Sequence, residues 1–322
     1  MLILVMLNNK AKLKVFIAGG NGMVGRSLAR AFSQKYYEVY QITRSHVDFL
    51  DKTKTHEIIL NIRPDIVIDA AAKVGGIRAN NLFKVQFLQE NLIMQINLMD
   101  ASHLANVKKF IFLGSSCIYP RNCGQPIKEE YLLTGQLEPT NSSYAIAKIA
   151  GIELINSYRK QYSRSWISVM PTNLYGPFDN FSKDDSHVLP AMIRKFLEAV
   201  ENKTNIVELW GSGKPLREFL HVDDLASAIV LLSQVYDSEL HINVGSGQEI
   251  SIANLAKLIS EIVGFKGEIF WNTRMPDGTP RKVLDSYAIR DLGWEPLINL
   301  ESGIRRTVDW YKDNRQSGGL RI

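Results

Sequence analysis

The chain is poor in several features, and each scarcity narrows what it can be. Among 322 residues there are two cysteines, Cys117 and Cys123, too few for a disulfide framework and with no spacing that would hold a metal. No apolar run approaches the roughly 18 residues that a membrane-spanning helix requires. The opening stretch Met1–Leu7 is apolar but short, and it lacks both a basic segment ahead of it and a small-residue cleavage site. It reads as an extension before the first strand, so a cytoplasmic protein with no membrane partner is expected. Dense blocks of Lys and Arg are missing too. The 38 basic side chains stand against 33 acidic ones, and an excess of +5 spread along the chain argues for no nucleic-acid partner. It does suit a substrate that carries phosphates. Internal repeats and low-complexity segments are absent. What remains is an ordinary globular composition, long enough for an α/β domain and a smaller partner.

Hydrophobic patterning supplies the order of elements. Lys14–Ala18, Glu38–Thr43, Asp65–Asp69, Lys109–Leu113 and Ile167–Met170 are short apolar runs that read as strands. Helical patterns lie between them at Met23–Gln34, Lys54–Asn61, Phe83–Leu104 and Ser143–Tyr162. Strands apolar on both faces, alternating with helices, predict a doubly wound parallel sheet. After Pro177 the pattern changes. Asp179–Ser186 is loop-like, Leu189–Val200 is helical, and Val207–Gly213 runs into a turn. Val222–Val235 (helix) and Leu240–Val244 (strand) are expected to return to the first sheet. Ile252–Val263, with Ser251 as N-cap, and Leu300–Tyr311 complete the helices. The expected division is a nucleotide-binding Rossmann domain over 12–177 plus about 220–247, and a smaller α/β substrate-binding domain over 178–219 and 248–322.

Gly19-Gly20-Asn21-Gly22-Met23-Val24-Gly25 follows the first strand and opens the first helix. Glycines at this place allow a tight turn and close backbone approach, and the helix end offers free N–H groups to a pyrophosphate. An acid at the end of the second strand would point to NAD; here Arg44 stands there, matched to a 2′-phosphate. NADP(H) is therefore the expected cofactor, with Asp48 placed to meet the adenine.

Tyr144 and Lys148 are four apart on a predicted helix and so share a face. An ammonium beside a phenol favours phenolate, so this pair is expected to lower the tyrosine pKa and make an acid/base group. Ser115, just after a strand, would join Tyr144 at a carbonyl oxygen; taken alone, it reads equally as a loop hydroxyl capping a backbone group.

Glycine turn, serine and Tyr-x-x-x-Lys together resemble the extended short-chain dehydrogenases/reductases. Longer blocks narrow the likeness to the GDP-L-fucose synthase family: Ala70–Ile77, Leu113–Pro120, Glu138–Thr140, Tyr144–Gly151, Met170–Pro177, Arg217–Asp224 and Pro276–Arg281. The resemblance runs from about residue 14 to about residue 311. It implies conversion of GDP-4-keto-6-deoxy-D-mannose to GDP-L-fucose, by epimerisation at C3 and C5 followed by NADPH reduction at C4. It implies Cys117 and His187 as the epimerising pair, residues that alone would read as a structural thiol and a loop histidine. A 4-keto group acidifies the hydrogens at C3 and C5, so a thiolate on one face and an imidazole on the other form a coherent pair. The resemblance also assigns Leu113, Gly114, Ser116, Lys148, Pro171, Thr172, Asn173, Leu174 and His187 to the cofactor. To the GDP-sugar it assigns Lys195, Trp210, Arg217 and Asp277, and it implies a homodimer joined through Phe83–Leu104 and Ser143–Tyr162. Asn21 and Lys195 stand where close relatives often carry arginine, and 230–241 is shorter than in some. Two other readings compete: a C4 reductase or epimerase for another GDP-4-keto sugar, such as a dideoxy sugar or heptose, and a dinucleotide-binding regulator. Cys123 and the remaining histidines carry no case, with His221 read as structural.

Overall fold

The computed structural model describes residues 12–183, 185–275 and 277–315; the apolar extension at 1–11 lies outside them. The chain opens with β1 (Lys14–Ala18), α1 (Met23–Ser33), β2 (Glu38–Ile42), α2 (Lys52–Ile62) and β3 (Ile66–Asp69). Next come α3 (Ile77–Leu82), α4 (Lys84–Leu104), β4 (Lys109–Leu113), α5 (Ser142–Tyr162) and β5 (Ile167–Pro171). β6 (Asn173–Tyr175), α6 (Val188–Glu201), β7 (Ile206–Trp210), β8 (Leu216–His221) and α7 (Val222–Val235) follow. The remainder is β9 (Ile242–Val244), β10 (Glu249–Ser251), α8 (Ile252–Val263), β11 (Glu268–Asn272), β12 (Arg281–Lys282), α9 (Tyr287–Asp291) and α10 (Leu300–Arg315).

Six strands form one parallel sheet in the order β2-β1-β3-β4-β5-β9. Their apolar side chains fill two cores, one on each face. Val15, Ile17, Ile68 and Ile111 meet α1 and α7, while Phe16, Val67, Phe110 and Phe112 meet α2, α4 and α5. The direction of winding reverses between β1 and β3. In an open sheet of this kind the crevice at that point, beyond the carboxyl ends of the strands, takes the ligand. A third core, around Phe196, Leu255, Ile259 and Ile304, joins α6, α8 and α10. Among the described residues, no helix is long and apolar enough to cross a membrane.

Two expectations need correction. The helix expected at Phe83–Leu104 starts at Lys84, because Phe83 leaves the helical region (φ −112°, ψ 42°) and a separate short α3 precedes it. Apolar spacing continues across the break, so the pattern did not reveal it. Several strands were also missed. β6, β8, β10 and β12 make a four-stranded sheet, and β7 pairs with β11. They are two to six residues long with partners far away in sequence, and apart from β7, whose burial alternates over five residues, no local alternation marks them. β8 also carries polar residues inward: Glu218 is fully buried and accepts hydrogen bonds from Gly247 N–H and Leu284 N–H.

Candidate active site

The glycine turn lies at the switch point. Gly19 adopts φ 77°, and a Cβ there would stand 2.7 Å from the Ala70 carbonyl oxygen at the end of β3. A Cβ on Gly25 would stand 2.3 Å from Gly19 O, so α1 can approach the turn only without a side chain there. Gly22 is the N-cap of α1, with no side chain capping it and no acid in the first turn. The N–H groups at that end are left for an anion, and the cradle fits a dinucleotide pyrophosphate. Asn21 is held by Arg26, whose guanidinium donates to its carbonyl and side-chain oxygens at 3.1 and 3.3 Å. Arg44 projects into solvent and pairs with Asp48 at 3.0 Å, while the other Asp48 oxygen accepts Leu50 N–H. Asp48 is thus bonded on both carboxylate oxygens.

β4 delivers the next group of residues. Ser115 follows Leu113 and Gly114 in extended conformation, and its Oγ accepts the Cys117 N–H at 3.2 Å, which turns Ser116–Ile118 into a short helical loop. α5 packs tightly on this strand; a Cβ on Gly151 would fall 2.3 Å from the Phe112 ring. That packing carries Tyr144 to Ser115, to which it is hydrogen-bonded. Lys148 is 2% exposed; its Nζ donates to Leu113 O at 2.9 Å and sits 4.7 Å from the Phe112 ring centroid and 5.9 Å from that of Tyr144. The expected lowering of the Tyr144 pKa is not what the structure has. Burial pushes the phenol well above its ordinary value, with Cys117 and Asp69 adding to the rise against the Ser115 hydrogen bond. Lys148 is itself lowered by burial, partly offset by Asp69. In this state Tyr144 is a held proton, not a phenolate.

Cys117 is half-buried and its thiol is free. Two donors reach its sulfur: the Asn141 amide at 3.4 Å and Lys282 Nζ at 3.4 Å. Asn141 begins α5 without capping it, its amide spent on the sulfur. Lys282 lies on β12 as the register partner of Arg217 on β8, so two cations stand side by side at the thiol. His187 precedes α6 and keeps much of its surface accessible, although protein atoms crowd its ring. Burial lowers its pKa and Lys282 lowers it further. Gly76 N–H donates to Asp185 O at 3.0 Å, which ties the loop carrying His187 to the segment after β3. Lys282 and Asn141 were not singled out in the sequence. Lys282 adjoins Arg281 at the end of a recognised block, but only the pairing of β12 with β8 reveals its place.

The residues expected at the GDP-sugar lie on α6, β7, β8 and the segment before β12. Lys195 Nζ donates to Glu208 O of β7 at 2.9 Å, and its pKa is lowered by burial and then by Arg194. Trp210 ends β7 with 57% of its surface exposed, so it is not a core residue. Asp277 accepts from Ser212 N–H at 2.8 Å and from Ser212 Oγ at 2.7 Å, fastening the turn after β7. Arg217 Nη1 donates to Leu216 O at 2.8 Å, and burial lowers its pKa. Pro171 ends β5; Thr172 N–H bonds Val244 O, and the Asn173 amide donates to Glu218 O at 2.8 Å, with Leu174 following in β6. His221 caps α7, its Nδ1 accepting Asp223 N–H at 3.2 Å. Cys123 packs into the core beneath α5, and burial raises its pKa. Among the described residues, no group of three or more His, Cys, Asp or Glu side chains could hold a metal ion.

A parallel sheet with a glycine turn at its switch point, and a Ser–Tyr–Lys set beyond the next strand, define the class as enzymes of the short-chain dehydrogenase/reductase type. Residues 15–245 match the NAD dependent epimerase/dehydratase family, and the chain belongs to that family. It is 48% identical to GDP-L-fucose synthase 1 of Arabidopsis thaliana over 302 residues, 94% of this chain and 94% of that protein. Among solved structures it is similar to a GDP-L-fucose synthetase from Naegleria fowleri bound to NADP, with TM-score 0.89 and 29% identity, covering 97% of this chain and 98% of the other. It is similar as well to MlghC, a GDP-mannoheptose C4 reductase from Campylobacter jejuni with NADP bound, with TM-score 0.85 and 35% identity, covering 94% and 99%.

Proposed function

We propose that the protein converts GDP-4-keto-6-deoxy-D-mannose to GDP-L-fucose, inverting C3 and C5 and then reducing C4 with NADPH. One observation carries the reading: a free thiol held by an ammonium and an amide sits two residues from the serine that bonds Tyr144. Reduction alone needs no such thiol. The pyrophosphate of the cofactor belongs on the Gly19–Gly25 turn and its 2′-phosphate beside Arg44. When bound, NADPH supplies the hydride for C4.

The protein's own groups handle the protons. Ser115 and Tyr144 hold the C4 oxygen, which stabilises the enolate formed when Cys117 Sγ takes a proton from C3 or C5. His187 returns a proton from the other face. A diphosphate entering beside Lys282 and Arg217 offsets the positive charge that helps to depress His187, so the imidazole regains proton affinity when substrate is present. Tyr144 then gives its proton to the C4 oxygen.

Turnover in deuterated water tests the whole assignment. The expected result is NADPH consumption with solvent deuterium at C3 and C5. NADPH consumption without exchange would replace this reading by a C4 reductase, as the likeness to the heptose enzyme suggests; neither signal would leave a dinucleotide-binding regulator. The Lys282–sulfur contact gives a second test. A charge-assisted hydrogen bond is worth about 1.5–3 kcal/mol, so Lys282→Met is expected to slow exchange roughly 10- to 100-fold. Exchange at the unmodified rate would remove Lys282 from the epimerisation.

A homodimer belongs to the same reading. α4 and α5 pack on each other, and they leave Ile96, Leu104, Ile146 and Tyr162 exposed at 46–58%. Two such helix pairs would bury these side chains as a four-helix bundle. Sedimentation equilibrium should give twice the 36.4 kDa chain mass. Ile96→Glu combined with Ile146→Glu should return it to one chain; a variant that still sediments as two chains would place the contact elsewhere.

A further inference from the structure

Asp69, the last residue of β3, is 1% exposed in a strand otherwise made of Ile, Val and Ile. Its Oδ1 accepts Ala71 N–H at 3.2 Å, and its Oδ2 has no hydrogen-bond partner. A buried carboxylate left half-bonded is costly, and an apolar residue would serve the strand better. Asp69 is the register partner of Phe112, so both face the side of the sheet covered by α5. The ammonium of Lys148 rests on that Phe112 ring. No direct ion pair forms; the carboxylate acts on Lys148 through space, in a setting where water screens little.

We propose that Asp69 is a positioning residue for reduction, whose carboxylate keeps Lys148 charged and, acting on Tyr144 directly, holds in place the proton that Tyr144 donates. The proposal rests on the reading of Tyr144 and Lys148 as proton donor and supporting cation. Burial removes water from all three groups, so their charges are set by one another. Asp69 is the main group opposing the loss of charge on Lys148, and Lys148 is the main group opposing the rise of Asp69, which burial carries to about 6. Asp69 also raises Tyr144 directly. The other neighbours carry no competing charge toward it. β1 and β4 contribute Ala18 and Phe112, and the turn after β4 contributes Ser115 and, beyond it, Cys117. α4 turns Glu90 to Lys73 and Asp100 to Lys52 and His56, while its buried positions Asn91 and Gln95 are neutral amides.

The sign follows. Above about pH 6 the anionic Asp69 keeps Lys148 charged and Tyr144 protonated, so the proton donor stays loaded into alkaline solution. Asp69→Asn keeps the shape and the bond to Ala71 N–H but removes the charge. Lys148 then loses its proton at lower pH and Tyr144 holds its own less firmly. Both changes move the descending alkaline limb of C4 reduction toward neutral pH, with an expected displacement of about one unit. A purely structural Asp69 would change the amplitude and leave the limb in place.

Infrared titration of the unliganded protein supplies a readout that needs no turnover. The carboxylic C=O band missing from Asp69→Asn should titrate near pH 6 and move to higher pH in Lys148→Met, where the cation opposing burial is gone. A band at the same pH in both proteins, or an alkaline limb unmoved by Asp69→Asn, overturns the proposal. Absence of keto-sugar turnover in the unmodified enzyme would instead overturn the assigned reaction, and the infrared shift would still decide whether Asp69 and Lys148 are coupled.

Discussion

Tyr144→Phe is expected to lower C4 reduction about 10²- to 10⁴-fold, the range by which a positioned general acid accelerates proton transfer. The argument is local. Burial keeps the Tyr144 proton in place at neutral pH, and the Ser115 hydroxyl bonds the phenol. The proton leaves only as the C4 oxygen gains charge, and Lys148 then stabilises the phenolate. Phenylalanine retains the ring and its edge contact with Phe87, whose centroid is 6.4 Å away, so the loss should be chemical and not structural. Single-turnover NADPH oxidation should show kcat and kcat/KM falling together with NADPH affinity unchanged, the pattern of a contact made only in the transition state. Solvent exchange at C3 and C5 should fall much less, because Ser115 still holds the carbonyl. Reduction within a few-fold of the unmodified rate would remove Tyr144 from the role of donor.

Cys117→Ser should produce the reciprocal phenotype. A hydroxyl is a far weaker base than a thiolate, and deuterium incorporation at C3 and C5 is expected to drop about 10²- to 10⁴-fold. Serine is nearly isosteric and can still accept from Asn141 and Lys282, so the fold and NADPH binding should persist. Any reduction that continues would yield a sugar with its starting configuration at C3 and C5. Nuclear magnetic resonance of the product distinguishes these outcomes; epimerised product at the ordinary rate would assign the proton to another group.

The sheet was legible because its strands are apolar on both faces and alternate with longer helical stretches. The glycine turn was legible because its residues lie next to one another and between two recognisable elements. Charge coupling was not. Tyr144 and Lys148 share a helix face at a spacing of four, which suggested a lowered phenol pKa, but spacing says nothing of burial, and burial reverses the sign. Asp69 was placed only as the last residue of an expected strand, and no local pattern reveals an unpartnered carboxylate oxygen. Lys282 reaches Cys117 across 165 positions of sequence, and only β12 lying beside β8 brings them together. The resemblance to a known family suggested Cys117 and His187; composition and periodicity would have left both unremarked.

The passage from β5 to β6 takes a single intervening residue, and β6 pairs at once with β8, the strand that bears Arg217. No slack separates the sheet beneath the dinucleotide crevice from the ribbon that carries the cations. The two sheets remain distinct, but this one-residue link keeps the strand that bears Arg217 close to the carboxyl end of β5. Part of the conformational entropy of bringing cation, thiol and proton carriers together is therefore lost when the chain folds, before any substrate binds.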